Sequence, residues 1–98
     1  MVISPGQQVL VGRDTSAQLK IPEKSRDGAS LDRVSRRHAT ISATRDSLQI
    51  SDGYGGVPST HGTKVDGQRL APHVPFATQS AATVTLADVA TLYCRPGA

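Results

Sequence analysis

The chain has 98 residues, the size of one small domain, and its 11 Lys and Arg outnumber its 8 Asp and Glu by three. Hydrophobic residues make up 37% and aromatic residues 3%, so the composition excludes wholesale disorder and predicts a core of Val, Leu, Ile and Ala. No apolar run approaches the ~18 residues of a membrane span, and the N-terminus lacks the pattern of a secretory signal. The one cysteine, Cys94, fits a reducing compartment. We expect a cytoplasmic domain, or a nuclear one if the source is eukaryotic.

Short runs in which apolar and polar residues alternate follow one another along the chain. A period of two over four to six residues is typical of a strand with one half-buried face. The apolar positions are Val9 and Val11, Leu19 and Ile21, Ala39, Ile41 and Ala43, Leu48 and Ile50, Ala82, Val84 and Leu86, and Ala90, Leu92 and Cys94. The Ala-rich segment 77–90 is a helix candidate, but its alternation around Val84 favours a strand.

Turn signals separate these runs. Asp66-Gly67 lies between segments 63–65 and 68–70 and favours a type I′ turn, so these segments are predicted to form a tight hairpin. Many short strands joined by turns indicate an all-β fold, an antiparallel β-sandwich. We expect residues 1–98 to form a single domain.

The excess positive charge lies in one stretch. Residues 13–38 carry seven Lys and Arg against four Asp and Glu, whereas the rest of the chain carries four of each. An anion site is therefore expected in or near this stretch. The longest non-periodic segments, 22–33 and 53–59, are loops, and loops on a rigid sandwich are the usual place for binding.

Three polar clusters flank predicted strands: Gly12-Arg13, residues 33–38 and residues 59–63. Together they supply guanidinium groups, hydroxyl groups and backbone amides next to glycine. Arginine forms paired hydrogen bonds to phosphate oxygens, and serine and threonine add neutral donors. The clusters therefore contain the groups that bind a phosphate.

The order of these clusters resembles the forkhead-associated (FHA) domain pattern: Gly12-Arg13, then Ser35-Arg36-Arg37-His38, then Ser-Thr-His-Gly-Thr-Lys-Val-Asp-Gly over residues 59–67. The resemblance covers residues 9 to about 70 by motif and extends to 94 by strand pattern. It implies a β-sandwich that binds phosphothreonine peptides through loops at one end. It also implies a Ser/Thr protein kinase upstream and no cofactor.

The resemblance assigns roles to individual residues. The phosphate-contacting positions are matched by Arg13, Ser35, Arg36 and Thr60. Arg33 lies where some members read the side chain three residues beyond the phosphothreonine. The positions that shape and brace the loops are matched by Gly12, His38 and Gly62. Because strand alternation would point Arg36 and Arg37 in opposite directions, we expect only Arg36 to face the ligand.

Several positions depart from the family pattern. His61 replaces the asparagine that clamps the ligand backbone, and Asp66 replaces a later asparagine in a turn that suits either residue. We expect His61 to contact the ligand and binding to tighten as histidine gains a proton. The family's first strand is shortened at the N-terminus, so we expect the chain to be a fragment of a larger protein.

Other classes of function fit less well. A hydrolase is a minor alternative, because the chain lacks a Gly-x-Ser-x-Gly elbow, and the His and Cys spacing predicts no metal site. A nucleic-acid or polyanion binder would use the Arg33–Arg37 cluster, but the net charge is small and that stretch has no stacking aromatic residue. A phosphate-independent interaction module with a degenerate site also stays open because of His61. We predict a phosphothreonine-binding interaction module that is not an enzyme and has no membrane partner.

Overall fold

The computed structural model describes residues 2–14, 17–21, 31, 33–71 and 74–96, and this part of the chain is all-β. It contains ten strands: β1 (Val2–Ile3), β2 (Gln8–Gly12), β3 (Leu19–Lys20), β4 (Ala39–Ala43), β5 (Leu48–Asp52), β6 (Thr63–Val65), β7 (Gln68–Arg69), β8 (Phe76–Thr78), β9 (Ala82–Leu86) and β10 (Ala90–Pro96). The strands predicted from alternation are confirmed, including β9 within the Ala-rich segment.

The strands form two five-stranded sheets, in the orders β1-β10-β9-β6-β7 and β3-β2-β4-β5-β8. Most neighbouring strands of the two sheets pair antiparallel, for example β4 with β5 and β9 with β10. The short outer strands β1 and β3 instead pair parallel with β10 and β2. The predicted β-sandwich is therefore confirmed, with sheets that are mixed because of these two outer pairings.

The core lies between the sheets and is made of the apolar positions of the alternating runs. In β4, Ala39, Ile41 and Ala43 are buried while the residues between them are partly exposed. Val84 and Leu86 of β9 are fully buried in the same core cluster. Burial of small aliphatic side chains from both sheets is thus the main stabilising contribution, at roughly 25 cal/mol per Å² of apolar surface.

The β6–β7 hairpin turns at the predicted dipeptide. Asp66 and Gly67 both have positive φ, at 50° and 85°, which is the backbone conformation of a type I′ turn. The Asp66 carboxylate also accepts a hydrogen bond from the backbone amide of Thr83 at 2.9 Å. The turn is therefore tied to the neighbouring strand β9.

The strand registers bring several loops to one end of the sandwich, here called the loop end. Val11 near the end of β2 pairs with Ala39 at the start of β4, which pairs with Asp52 at the end of β5. In the other sheet, Thr63 at the start of β6 pairs with Leu86 at the end of β9. The opposite end, with the β4–β5 and β8–β9 turns, is the far end.

The predicted loop over residues 22–33 falls mostly outside the described residues, which include only Leu31 and Arg33 of that segment. Within the described chain, we find no helix with the length and apolar character needed to cross a membrane.

Candidate functional site

Gly12 lets the end of β2 lie directly against the turn at residues 35–36. A Cβ atom at this position would lie 2.0 Å from the carbonyl oxygen of Arg36, a distance that two non-bonded atoms cannot occupy. Beyond Gly12 the pairing continues, because the amides of Arg13 and Asp14 donate to the carbonyls of Ser35 and Arg36 at 3.2 and 2.9 Å. The first two polar clusters are thus joined by backbone hydrogen bonds.

The half-buried side chain of Arg13 is held beside the second cluster, where its Nε donates a hydrogen bond to the carbonyl of Val34. This contact uses one edge of the guanidinium, whose two Nη atoms carry further N–H donors. The guanidinium therefore lies next to the segment that carries Ser35.

Ser35 connects the second cluster to the third. Its half-buried hydroxyl oxygen accepts a hydrogen bond from the backbone amide of Thr60 at 3.0 Å. A serine hydroxyl that accepts one hydrogen bond still has a proton to donate. The structure therefore brings Arg13, Ser35 and Thr60 together at the loop end, as the three clusters predicted.

His38 braces this arrangement from inside. It is fully buried, and its Nδ1 accepts the backbone amide proton of Ser35 at 2.9 Å, so Nε2 carries the imidazole proton and donates to the carbonyl of Gly62 at 2.7 Å. Burial lowers the pKa of His38, while its hydrogen bond to Gly62 and the nearby carboxylate of Asp52 act in the opposite direction. A neutral imidazole with one acceptor and one donor thus fixes the distance between two loops.

Asp52 organises the third cluster, and the sequence analysis did not identify it. Its buried carboxylate accepts hydrogen bonds from the backbone amide of Ser59 at 3.1 Å, from the Ser59 hydroxyl and from the Thr63 hydroxyl at 2.7 Å. The Ser59 hydroxyl oxygen in turn accepts a hydrogen bond from the backbone amide of Gly62 at 2.9 Å. The signal in the sequence that could have identified Asp52 is the alternation in β5, which places this residue on the same inward face as Leu48 and Ile50.

A small hairpin stands beside the three clusters. The backbone groups of Tyr54 and Val57 exchange two hydrogen bonds of 3.0 Å across the turn Gly55-Gly56. A groove of about 410 Å³ is lined both by this hairpin and by residues of the second and third clusters. It is lined by Asp14, Ser35, Arg36, Arg37, Tyr54, Val57, Pro58 and Thr60.

The strand alternation that would turn Arg36 and Arg37 to opposite sides is absent from the structure. Arg36 and Arg37 lie in a turn before β4, so strand alternation does not apply, and both line the groove. The guanidinium of Arg37 lies 3.4 Å from the carboxylate of Asp14 and 5.5 Å from the ring centroid of Tyr54. Arg37 is thus held by a neighbouring acid and an aromatic ring.

Arg13, Arg33 and His61 are not among the residues that line the groove. Arg33 is exposed and close enough to Asp88 to contribute to lowering the pKa of that carboxyl group, which Lys64 lowers most through a hydrogen bond. His61 is exposed next to Thr60, and Gly62 behind it is buried with a φ of 90° that favours glycine. Among the described residues, no group of three His, Cys, Asp or Glu side chains is placed to hold a metal ion.

Comparison with known protein families identifies the fold and the loop pattern together. The sequence model of the FHA domain matches residues 9–87, most of the chain. The chain belongs to the FHA domain family. The matched range contains all three polar clusters and the strands that carry them. FHA domains are interaction modules. None of the curated proteins compared with this sequence matches it.

Solved FHA structures share this fold at low sequence identity. The FhaA FHA domain, solved with the intracellular domain of Rv3910, is 21% identical, with 88% of this chain and 78% of that chain covered and a TM-score of 0.63. The N-terminal FHA domain of S. cerevisiae Rad53p, solved with a phosphothreonine peptide, is 19% identical over 89% and 64% of the two chains, with a TM-score of 0.64. The MEK1 FHA domain, solved with a HOP1 phosphothreonine peptide, is 18% identical over 95% and 84%, with a TM-score of 0.69.

Proposed function

We propose that this FHA domain binds phosphothreonine peptides at its loop end and acts as a protein-interaction module in Ser/Thr kinase signalling. The observation that carries the proposal is the hydrogen bond between the Thr60 amide and the Ser35 hydroxyl, next to the backbone pairing of Arg13 with Ser35. Together with the hydrogen bond from the Arg13 guanidinium to the Val34 carbonyl, these contacts hold a guanidinium and a hydroxyl close together at the loop end. The solved complexes of the Rad53p and MEK1 domains with phosphothreonine peptides support the same chemistry.

The proposed switch is electrostatic. A phosphothreonine carries about −1.5 to −2 charges at neutral pH and strong acceptor oxygens, whereas threonine carries neither. Arg13 and the hydroxyl of Ser35 would bind the phosphate oxygens, and Arg36 and Thr60, which line the groove, would add further contacts. Arg33 and His61, which are both exposed, would contact the peptide beyond the phosphate. In this proposal Gly12, His38 and Gly62 hold the loops and do not touch the ligand.

Binding, with no chemical step, accounts for these groups. The imidazole of His38 is buried and uses both ring nitrogens in hydrogen bonds to backbone groups, so it is not placed to activate Ser35 as a nucleophile. The proposal therefore assigns no catalytic residue. It implies a Ser/Thr kinase that marks the partner, and hence a compartment in which such a kinase acts.

The proposal is tested with an oriented phosphothreonine peptide library titrated beside an unphosphorylated library of the same sequences. We expect saturable binding to the phosphorylated library and at least about a hundredfold weaker binding to its twin, because Arg13 would lose its charge partner. Equal affinity for the two libraries would replace the proposal with a phosphate-independent module. Binding that falls steeply with salt and that phosphopeptide does not displace would favour a polyanion ligand of the Arg33–Arg37 cluster.

A further inference from the structure

The Tyr54–Val57 hairpin is a hydrogen-bonded feature that phosphate binding does not explain. Its turn residues, Gly55 and Gly56, have φ values of 60° and 84°, as a type I′ turn requires. At its base, the amide of Gly53 donates to the carbonyl of His38 at 2.7 Å, and a Cβ atom at Gly53 would lie 2.0 Å from the carbonyl oxygen of Val57. The hairpin is therefore closely packed where it joins the sandwich, next to the histidine that braces the loops.

The hairpin leaves apolar side chains exposed beside the polar donors. Val57 is 68% exposed and Tyr54 is 45% exposed, and both line the groove with Pro58. Ser35 and Thr60 line the same groove. Exposed apolar groups next to a polar binding site are typical of surfaces that become covered when a partner binds.

The positive charge of Arg37, beside the Tyr54–Val57 hairpin, is partly compensated. Arg37 lies 3.4 Å from the carboxylate of Asp14 and stacks over the ring of Tyr54 at 5.5 Å. The Arg37 guanidinium already has an acid and an aromatic ring as neighbours. The hairpin therefore presents mainly the ring of Tyr54 and the side chain of Val57 to the groove. A neutral apolar group therefore suits the part of the groove that the hairpin lines.

The geometry points to a specificity role for the hairpin: we propose that an apolar side chain next to the phosphothreonine packs against Val57 and Tyr54. This inference rests on the proposed function, because a phosphothreonine held by Ser35 and Thr60 brings its chain neighbours into the groove that the hairpin lines. Successive residues of an extended peptide are about 3.3 Å apart along the chain, so the occupant belongs within about three residues of the phosphothreonine. Val57 and Tyr54 would then determine which phosphorylated sequences bind.

The test is a set of phosphothreonine peptides that carry Leu or Asp, in turn, at each of the three positions before and after the phosphothreonine. Binding is measured for the wild-type domain and for Val57→Ser, with Val2→Ser on β1 at the far end as the matched control. We expect the wild type and the control to prefer Leu over Asp at one position by about tenfold. Val57→Ser is expected to reduce that preference to about twofold or less while keeping phosphate dependence.

A second pair of variants separates packing from folding. Val57→Leu keeps an apolar side chain in the groove and is expected to keep the Leu preference. Tyr54→Ala is expected to reduce that preference. Tyr93→Ala, which changes an exposed tyrosine on β10, is the control and is expected to leave the preference unchanged. An unchanged preference in both Val57→Ser and Tyr54→Ala, with phosphate dependence retained, overturns this inference alone. Equal binding of phosphorylated and unphosphorylated peptides by the wild type overturns the proposed function, and this inference with it.

Discussion

The backbone amide of Thr60 donates a hydrogen bond to the side-chain oxygen of Ser35 at 3.0 Å, across 25 residues of sequence. The contact occupies an acceptor site of the hydroxyl and leaves its proton available for an anion. One small side chain thus joins two loops and offers a donor to the proposed ligand. Because this hydrogen bond joins the two loops, it would lower the conformational entropy lost when a ligand binds there.

Ser35→Ala is expected to weaken phosphothreonine-peptide binding by at least about tenfold. A hydrogen bond to a charged group contributes ~1.5–3 kcal/mol, and the Thr60 amide also loses its acceptor. Ser80→Ala, which changes an exposed serine in the β8–β9 turn at the far end, serves as the control. Isothermal titration calorimetry measures both variants, and wild-type affinity in Ser35→Ala would remove this residue from the site.

Arg13→Ala is expected to abolish measurable binding of a micromolar phosphopeptide while the fold is kept. Loss of one partner from a largely desolvated charge pair costs about 2–5 kcal/mol. Arg45→Ala makes the same change of charge in the β4–β5 turn at the far end and should bind as the wild type does. If the two variants bind equally well, Arg13 does not hold the phosphate.

Acidification is expected to lower the free energy of unfolding through His38. Burial keeps its pKa below the ordinary value of 6.5, so this contribution to stability is fully present above about pH 6.5. As the pH falls from there toward the lowered pKa, His38 gains a proton in the unfolded chain but not in the folded chain. Its contribution to the free energy of unfolding is then lost. Urea unfolding at several pH values measures this slope.

The matched variant for that measurement is His38→Gln, which has no titrating group at this position. It is expected to be less stable than the wild type near neutral pH and to lose less stability on acidification below about pH 6.5. Parallel pH profiles for the two proteins would show that His38 does not carry the dependence.

Much of the fold follows from side-chain alternation, because the core of a sandwich is formed by every second residue of each strand. The rule gave no strand at β1 or β8, which have two and three residues. It also does not apply to Arg36 and Arg37, because the turn before β4 has no alternation to extend. Parallel pairing of β1 with β10 depends on contacts between the two ends of the chain, which local patterns do not encode.

The candidate site was predictable only as far as its motif residues. Arg13, Ser35 and Thr60 carry groups that suit a phosphate, and their separate segments meet at the loop end. The role of Asp52 depends on three-dimensional contacts with Ser59 and Thr63, and no sequence spacing names those partners. The Tyr54–Val57 hairpin was visible in the sequence as a glycine-rich loop, but most of the other residues that line the groove come from other loops.

The central claim is that three loop segments hold one phosphate at the loop end, and an amide NMR titration with a phosphothreonine peptide tests it most directly. The account predicts the largest shift changes at Arg13, Ser35, Arg36 and Thr60, with little change around Arg45 and Ser80 at the far end. The unphosphorylated twin should leave these amides unmoved. Shifts that map to the outer face of a sheet, or that are the same for both peptides, would contradict the account.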